Sequence, residues 1–237
     1  MRLLAIGDIH GCSRSLDTLL SAVAPEPDDR IITLGDYVDR GPDSRGVLDR
    51  LLALQATGRL VALRGNHEEM MLKARGKPDE IRTWCLCGGD KTLASYKLPC
   101  KAGSSDELGD LNILSDVPAA HWEFLEQCVD WYEIETHFFV HANAYADLPL
   151  SEQPGYMLFW ESLDASAPHC SGKVMVCGHT AQRSGGPLNL GHTICIDTWV
   201  YGEGWLTCLD VMSGQVWQAS QRGAVRTAHI DEFATGP

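Results

Sequence analysis

Five short apolar runs in this chain each end directly in a side chain able to hold a metal ion, and no other feature constrains the fold as much. Leu3-Leu4-Ala5-Ile6 leads into Gly7-Asp8-Ile9-His10, and Ile31-Ile32-Thr33-Leu34 into Gly35-Asp36-Tyr37-Val38-Asp39-Arg40. Leu60 to Leu63 runs into Arg64-Gly65-Asn66-His67-Glu68, Phe138-Phe139-Val140 into His141, and Val174 to Cys177 into Gly178-His179. The runs alternate with helix-like stretches, which argues an α/β fold rather than segregated layers. In open α/β sheets, sites lie outside the carboxyl ends of the strands. One such end means little; five converging ends mean a site.

The predicted strands are Leu3–Ile6, Arg30–Leu34, Leu60–Leu63, Thr136–Val140, Lys173–Cys177, Thr193–Asp197 and Trp205–Val211. Helices are predicted over Ser13–Val23, capped by Ser13 or Ser15, and over Asp43–Gln55, opened by Pro42. A third, Glu68–Ala74, stops at Gly76 and Pro78. From Asp79 to about Tyr132 the pattern is helical, interrupted at Gly88-Gly89 and over Lys101–Asp106. This reads as a single domain over residues 1–237, with a helical excursion at about 76–135.

Thirty-two acids against nineteen bases leave a net charge of −13. Such a surface repels a phosphate backbone, so nucleic-acid binding is not expected, and the acids point instead to cations. Met1–Ile6 is too short for a signal peptide, and no stretch approaches the roughly 18 apolar residues of a membrane span. The nine cysteines are odd in number and lack zinc-site spacing; Cys85-x-Cys87 is the one close pair. Most sit in apolar runs, as buried reduced thiols do. The expectation is a cytoplasmic protein with no membrane attachment.

Asp8 and His10 are two apart, so in an extended chain both side chains point the same way. Asn66 and His67 are adjacent and share a site only if the strand has already turned, a freedom that Gly65 is expected to supply. Asp8, His10, Asp36, Asn66, His141 and His179 together mix carboxylate, amide and imidazole. That set suits a pair of borderline divalent ions sharing one carboxylate. Two such ions, Asp8, Asp36 and a hydroxide sum to about +1, and Arg40 raises this to about +2, enough to hold a phosphoryl dianion.

GDIHG at 7–11, GDYVDRGPDS at 35–44 and LRGNHE at 63–68 resemble the motifs of the calcineurin-like metallophosphoesterases. More narrowly, they resemble the phosphoprotein phosphatase family in its short bacterial and phage-type branch. The resemblance continues through WxxxGGxxTLxSY at 84–96, VHAN at 140–143, CGHT at 177–180 and IDT at 196–198, and so covers most of the chain. It implies a two-sheet β-sandwich flanked by helices, with a dinuclear metal site at the carboxyl ends of the strands. It implies that Asp8 and His10 hold one metal, that Asn66, His141 and His179 hold the other, and that Asp36 bridges. A metal-bridging water or hydroxide then attacks phosphorus in line. His67, oriented by Asp39, protonates the leaving oxygen, while Arg40 and Asn66 hold the phosphate. Two divalent ions per chain are implied, manganese first, with iron or zinc as alternatives.

The function implied is a metal-dependent phosphomonoesterase, a serine/threonine protein phosphatase that could extend to phosphotyrosine. The alternative is a symmetrical dinucleoside polyphosphate hydrolase, which shares these motifs; Trp84, Tyr96, Trp122 and Trp131 are available for a base pocket but suit helix core equally. A non-catalytic scaffold predicts lost ligands, and none is lost. Asn143 stands where the family usually has Gly after His-Ala, and Trp199 where it has Gly after Ile-Asp-Thr; both are expected at the pocket mouth. A second phosphate-binding Arg is expected between Trp160 and His179, where only Lys173 stands; Arg183, just beyond, is the candidate substitute. His192 in the second Gly-His-Thr precedes a strand and reads as a loop residue. His121, His137, His169 and His229 read as helix or surface residues with no partner pattern. Arg64 reads as a structural ion-pair partner, and Met70-Met71-Leu72 as helix core.

Overall fold

A computed structural model describes residues 1–75, 77–98, 114–164 and 166–234. Two mixed sheets are flanked by helices. The first has strand order β11-β10-β9-β1-β2-β3: β1 (Leu3–Ile6), β2 (Arg30–Thr33) and β3 (Leu60–Ala62) run parallel, and β9 (Leu206–Asp210), β10 (Gln215–Ala219) and β11 (Val225–His229) are antiparallel. The second has order β4-β5-β6-β8-β7, in which β5 (His137–Val140), β6 (Val174–Cys177) and β8 (Thr193–Cys195) are parallel. Short β4 (Trp131–Glu133) and β7 (Leu188–Asn189) pair antiparallel at its edges.

The unbroken apolar runs follow from burial on both strand faces. On β1, Leu3 and Ala5 point into the layer between the sheets, where they pack with Ile32, Leu34, Phe139, Val176 and Ile196, while Leu4 and Ile6 enter the layer beneath the helices. On β5, Phe139 faces between the sheets, and Phe138 and Val140 face Leu158 and Phe159 outside. No helix among the described residues is long and apolar enough to cross a membrane. No disulfide joins the eight described cysteines, six of which are buried.

Helix α1 spans Ser13–Val23 as expected, but its cap does not. Cys12 occupies the N-cap with no side-chain capping bond, and Ser15 is buried within the helix. Ser13 Oγ donates instead to Asp43 Oδ2 at 2.7 Å, the residue that caps α2 (Ser44–Gln55) by accepting from Gly46 N. The tertiary partner thus outcompetes the local one, and ties α1 to α2. Helix α3 (Asn66–Ala74) begins two residues earlier than expected, putting Asn66 and His67 in its first turn. Met70 and Met71 are buried on it, and Leu72 packs against the same core.

Beyond residue 76 come α4 (Pro78–Trp84), a π-type turn over Cys85–Gly89 that breaks at Gly88, α5 (Asp90–Ser95) and α6 (Ala119–Gln127). The expected interruption over Lys101–Asp106 lies outside the described residues. The helical pattern was expected to reach Tyr132, but Trp131–Glu133 is a strand, because Tyr132 pairs with Phe139 across the sheet edge. Short helix α7 covers Gly155–Phe159. The β10–β11 hairpin was not read from the sequence; β11 is largely exposed, so its VRTAH sequence carries little apolar signal.

Candidate metal centre

The parallel strands of both sheets deliver their carboxyl ends to one place. Past β1, β2, β3, β5 and β6 stand Asp8 and His10, Asp36, Asn66, His141 and His179. The chain beyond β1 does not stay extended as expected: His10 adopts a left-handed backbone with φ +44°. So do Asp36, Asp39, Arg40 and His179, at φ +51°, +72°, +65° and +62°. Such conformations are uncommon for residues with a side chain, Asp and His being among the more tolerant, and persist where the surroundings over-determine them. Gly65 is not one of them. Its φ of −100° is open to any residue, and what excludes a side chain there is space, because a Cβ would lie 2.3 Å from Asp36 Oδ1.

Asp36 lies between two groups of donors: with His10 and His67 on one side, and with His141 and His179 on the other, each group having its ligand atoms within 4.8 Å of one another. Asp36 Oδ2 is 3.3 Å from His10 Nε2 and 3.9 Å from His67 Nε2, and Oδ1 is 3.4 Å from His141 Nε2. Burial alone would push this carboxyl up, but the histidines, His141 foremost, hold it well below the usual carboxylate range. Asp8 sits apart from both groups. Its carboxylate accepts the His179 N–H at 3.0 Å, and burial, followed by the charges of Asp197 and Asp36, pushes it well up.

The donor set fits divalent ions. His10 Nδ1 bonds the Val38 carbonyl at 2.9 Å and His141 Nδ1 the Leu34 carbonyl at 2.7 Å, while His179 uses Nε2 on the Trp160 carbonyl at 3.1 Å. A ring nitrogen facing a carbonyl carries the proton, so the other nitrogen keeps its lone pair, the usual arrangement behind a metal-binding histidine. His141 Nε2 and His179 Nδ1 each lie 3.1 Å from Asn66 Oδ1, so three acceptors converge with no proton among them. Burial lowers His10 well below its ordinary value, takes His141 to about 4 and lowers His179 too, which keeps these rings neutral. Converging neutral acceptors beside buried carboxylates are what a cation requires.

His67 and Asp39 form a separate buried pair at 2.7 Å between Nδ1 and Oδ2. Asp39 Oδ2 also accepts the Trp84 indole N–H at 2.7 Å, and Oδ1 accepts from Thr92 Oγ1 at 2.7 Å. Burial would lower His67, but Asp36 and Asp39 outweigh it and raise the ring. Trp84 read as a base-pocket or core aromatic and Thr92 had no role at the sequence level; neither was linked to Asp39, although both lie in WxxxGGxxTL. The paired glycines of that motif are spatial requirements: a Cβ on Gly88 would meet the Arg40 backbone at 2.9 Å, and one on Gly89 the Trp84 ring at 2.5 Å. Gly88 O accepts the Arg40 N–H at 3.2 Å, so the motif holds Arg40 in its left-handed conformation. The exposed Arg40 guanidinium donates to His10 Nε2 at 3.0 Å and lies 4.8 Å from the Tyr201 ring centroid, an aromatic neighbour with no sequence signal.

Glu68 organises the loop that carries Asp36. Its carboxylate accepts from Asp36 N and Tyr37 N at 2.7 Å, Gly65 N at 2.9 Å and Val38 N at 3.4 Å. Burial and the nearby Asp36 charge push it up to about 7, against these four donors. Glu68→Gln keeps the shape but turns an amide N–H toward backbone N–H groups. It is expected to cost about 2–4 kcal/mol, a Tm fall of roughly 5–15 °C by differential scanning calorimetry. An unchanged Tm would remove Glu68 from this role.

The other residues fall as follows. Asn143 is turned to its own surroundings: Nδ2 donates to the Ser162 carbonyl and Oδ1 accepts from Ala144 N. Trp199 stands in a left-handed turn (φ +63°), with the Arg183 guanidinium 5.4 Å over its ring and Tyr201 edge-on at 6.3 Å. Lys173 is paired with Glu133, at the amino end of β6 and away from His179. Arg64 pairs with Asp130 at 3.8 Å, the ion pair expected of it, and also bonds the carbonyls of Glu126 and Cys128. His121, expected to lack partners, lies buried between Tyr96 and Asp49, which come from distant helices. Trp84, Tyr96 and Trp122 are buried core.

A family model described as calcineurin-like phosphoesterase matches residues 1–183. Serine/threonine-protein phosphatase 1 of Salmonella typhimurium is 42% identical over 86 residues, 36% of this chain and 38% of that protein. A symmetrical bis(5'-nucleosyl)-tetraphosphatase of Ralstonia nicotianae is 46% identical over 68 residues, 29% of this chain and 23% of that one. Each match thus spans well under half of the relative's length. A cold-active protein tyrosine phosphatase structure has a TM-score of 0.64 at 18% identity, covering 99% of this chain and 80% of that chain, a likeness of fold.

Proposed function

The chain belongs to the calcineurin-like phosphoesterase family, and on that premise we propose that it is a metal-dependent phosphomonoesterase acting on phosphoserine and phosphothreonine in proteins, with phosphotyrosine within reach. The observation that carries this reading is Asp36 shared between two histidine groups with the Arg40 guanidinium beside them. Asp8, His10, Asp36, Asn66, His141 and His179 would hold two divalent ions, manganese by preference, with iron or zinc as alternatives. Ions held there supply Lewis-acid polarisation of the phosphoryl oxygen and lower the pKa of a water. Arg40 and Asn66 bind and orient the phosphoryl group. His67 carries its proton at Nε2 toward the leaving oxygen, its ring fixed through Nδ1 by Asp39.

One guanidinium at the donor cluster suits a single phosphoryl group, and the net charge of −13 favours a phosphopeptide with basic residues over a polyanionic chain. The same charge argues against nucleic-acid partners, and the eight described cysteines, none of them in a disulfide, suit the cytoplasm. A second reading, a symmetrical dinucleoside polyphosphate hydrolase, is favoured by the run Arg183–Trp199–Tyr201–Arg40, which offers a base a stacking surface. On manganese-reconstituted protein, kcat/KM is expected to be higher for a phosphothreonine peptide than for diadenosine tetraphosphate. The reverse order would replace the first reading by the second, and activity on neither would restore the scaffold alternative.

A further inference from the structure

Among the described residues, six strands run parallel in the two sheets, three in each, and the five whose ends were recognised in the sequence supply the candidate ligands. The sixth, β8, ends at Cys195 and is followed by Ile196 and Asp197. We propose that Asp197 is a positioning residue of the metal centre, a third carboxylate set against Asp8 that strengthens cation binding there. This rests on the reading that Asp8 belongs to a metal site.

Asp197 is 1% exposed and Asp8 2%. Its orientation is fixed: Oδ1 accepts the Trp199 N–H at 3.0 Å across a left-handed turn, and Gly204 N donates to the Trp199 carbonyl behind it. The other oxygen, Oδ2, is buried and finds no donor apart from the Asp8 carboxyl. A buried carboxylate oxygen without a donor is costly, and an isolated buried carboxylate more so. The Asp197 side chain faces the Asp8 carboxyl, so without a cation the two can only share a proton between them, while Asp36 adds a negative charge and Arg40 an opposing positive one. Three buried carboxyls therefore meet at the convergence of the strands, and a cation at Asp8 takes the place of the shared proton and offsets their charge. A residue needed only to close the 197–199 turn would use Oδ1 and could be Asn.

Asp197→Asn separates the two roles, because Asn keeps an oxygen for the Trp199 N–H and loses only the charge. Two measurements are made on stripped protein: thermal unfolding without added ions, and calorimetric titration with Mn²⁺ alone. The expected result is that ion-free Asp197→Asn melts above the ion-free wild type, while Mn²⁺ affinity falls by about tenfold or more. Asp197→Ser, which offers a hydroxyl oxygen and no charge, is measured in parallel and is expected to lose affinity similarly should the Asn variant fold poorly. An unchanged Mn²⁺ affinity in a folded variant would overturn the proposal and leave Asp197 a turn residue. A wild type that takes up no Mn²⁺ would instead overturn the metal-centre reading beneath it.

Discussion

Asp36→Asn is expected to drop bound metal well below two ions per chain and to cut kcat/KM by at least about a hundredfold. The reason is geometric. Oδ2 faces His10 and His67, Oδ1 faces His141, and Oδ1 also accepts the His67 backbone N–H at 3.1 Å. An amide cannot serve both sides, because one of its two ends becomes a donor, and the charge that two cations would share on the proposed reading is lost. Metal content of desalted protein, measured by mass spectrometry beside the wild type, reads the effect directly. Unchanged stoichiometry would show that Asp36 is not shared. The fold should survive, since Asn tolerates the left-handed backbone that Asp36 adopts at φ +51°.

The second large effect falls on His67. On the proposed reading, His67→Asn removes the group that protonates the leaving oxygen, a contribution of typically 10²–10⁴-fold. The loss should be far greater for phosphothreonine or alkyl esters than for p-nitrophenyl phosphate, whose leaving group needs no proton. Equal losses on both substrates would take His67 out of the role. The pH profile offers an independent check. Asp36 and Asp39 raise His67 above its ordinary value despite burial, so its protonated form persists upward in pH. Activity on the poor leaving group should fall on the alkaline side of the ordinary imidazole range, and His67→Asn should lack that limb. Metal content is measured in the same variant, because His67 Nε2 stands within the His10–Asp36 group; a variant that loses its ions would point to a ligand instead.

The strand ends were legible because the chemistry is adjacent to the apolar run that positions it. Leu3–Ile6 and Asp8, or Phe138–Val140 and His141, are neighbours along the chain, and burial of β1 and β5 on both faces left unbroken runs to read. Where function depends on a residue far along the chain, the pattern failed. Ser13 read as a cap, but Asp43 takes its hydroxyl; His121 read as unpartnered, but Tyr96 and Asp49 enclose it. The β10–β11 hairpin was missed because an exposed edge strand needs few apolar residues.

The spacing of runs and motifs was enough for an α/β chain and a cluster of carboxylates and imidazoles at strand ends, and two sheets flanked by helices followed only from the phosphoesterase family resemblance that the motifs carry. These depend on short-range order: apolar runs, and polar residues within a few positions of their ends. Tertiary structure decided which nitrogen of each histidine keeps its lone pair, that Glu68 gathers four backbone N–H groups under the Asp36 loop, and that Asp197 meets Asp8 from the sixth strand end. Carbonyls of Leu34, Val38 and Trp160 set the histidine tautomers, and the meeting of two sheets sets Asp197 against Asp8. Residues 8 and 197 lie on different sheets, so their encounter is a matter of strand order and packing, which no local pattern along the chain encodes.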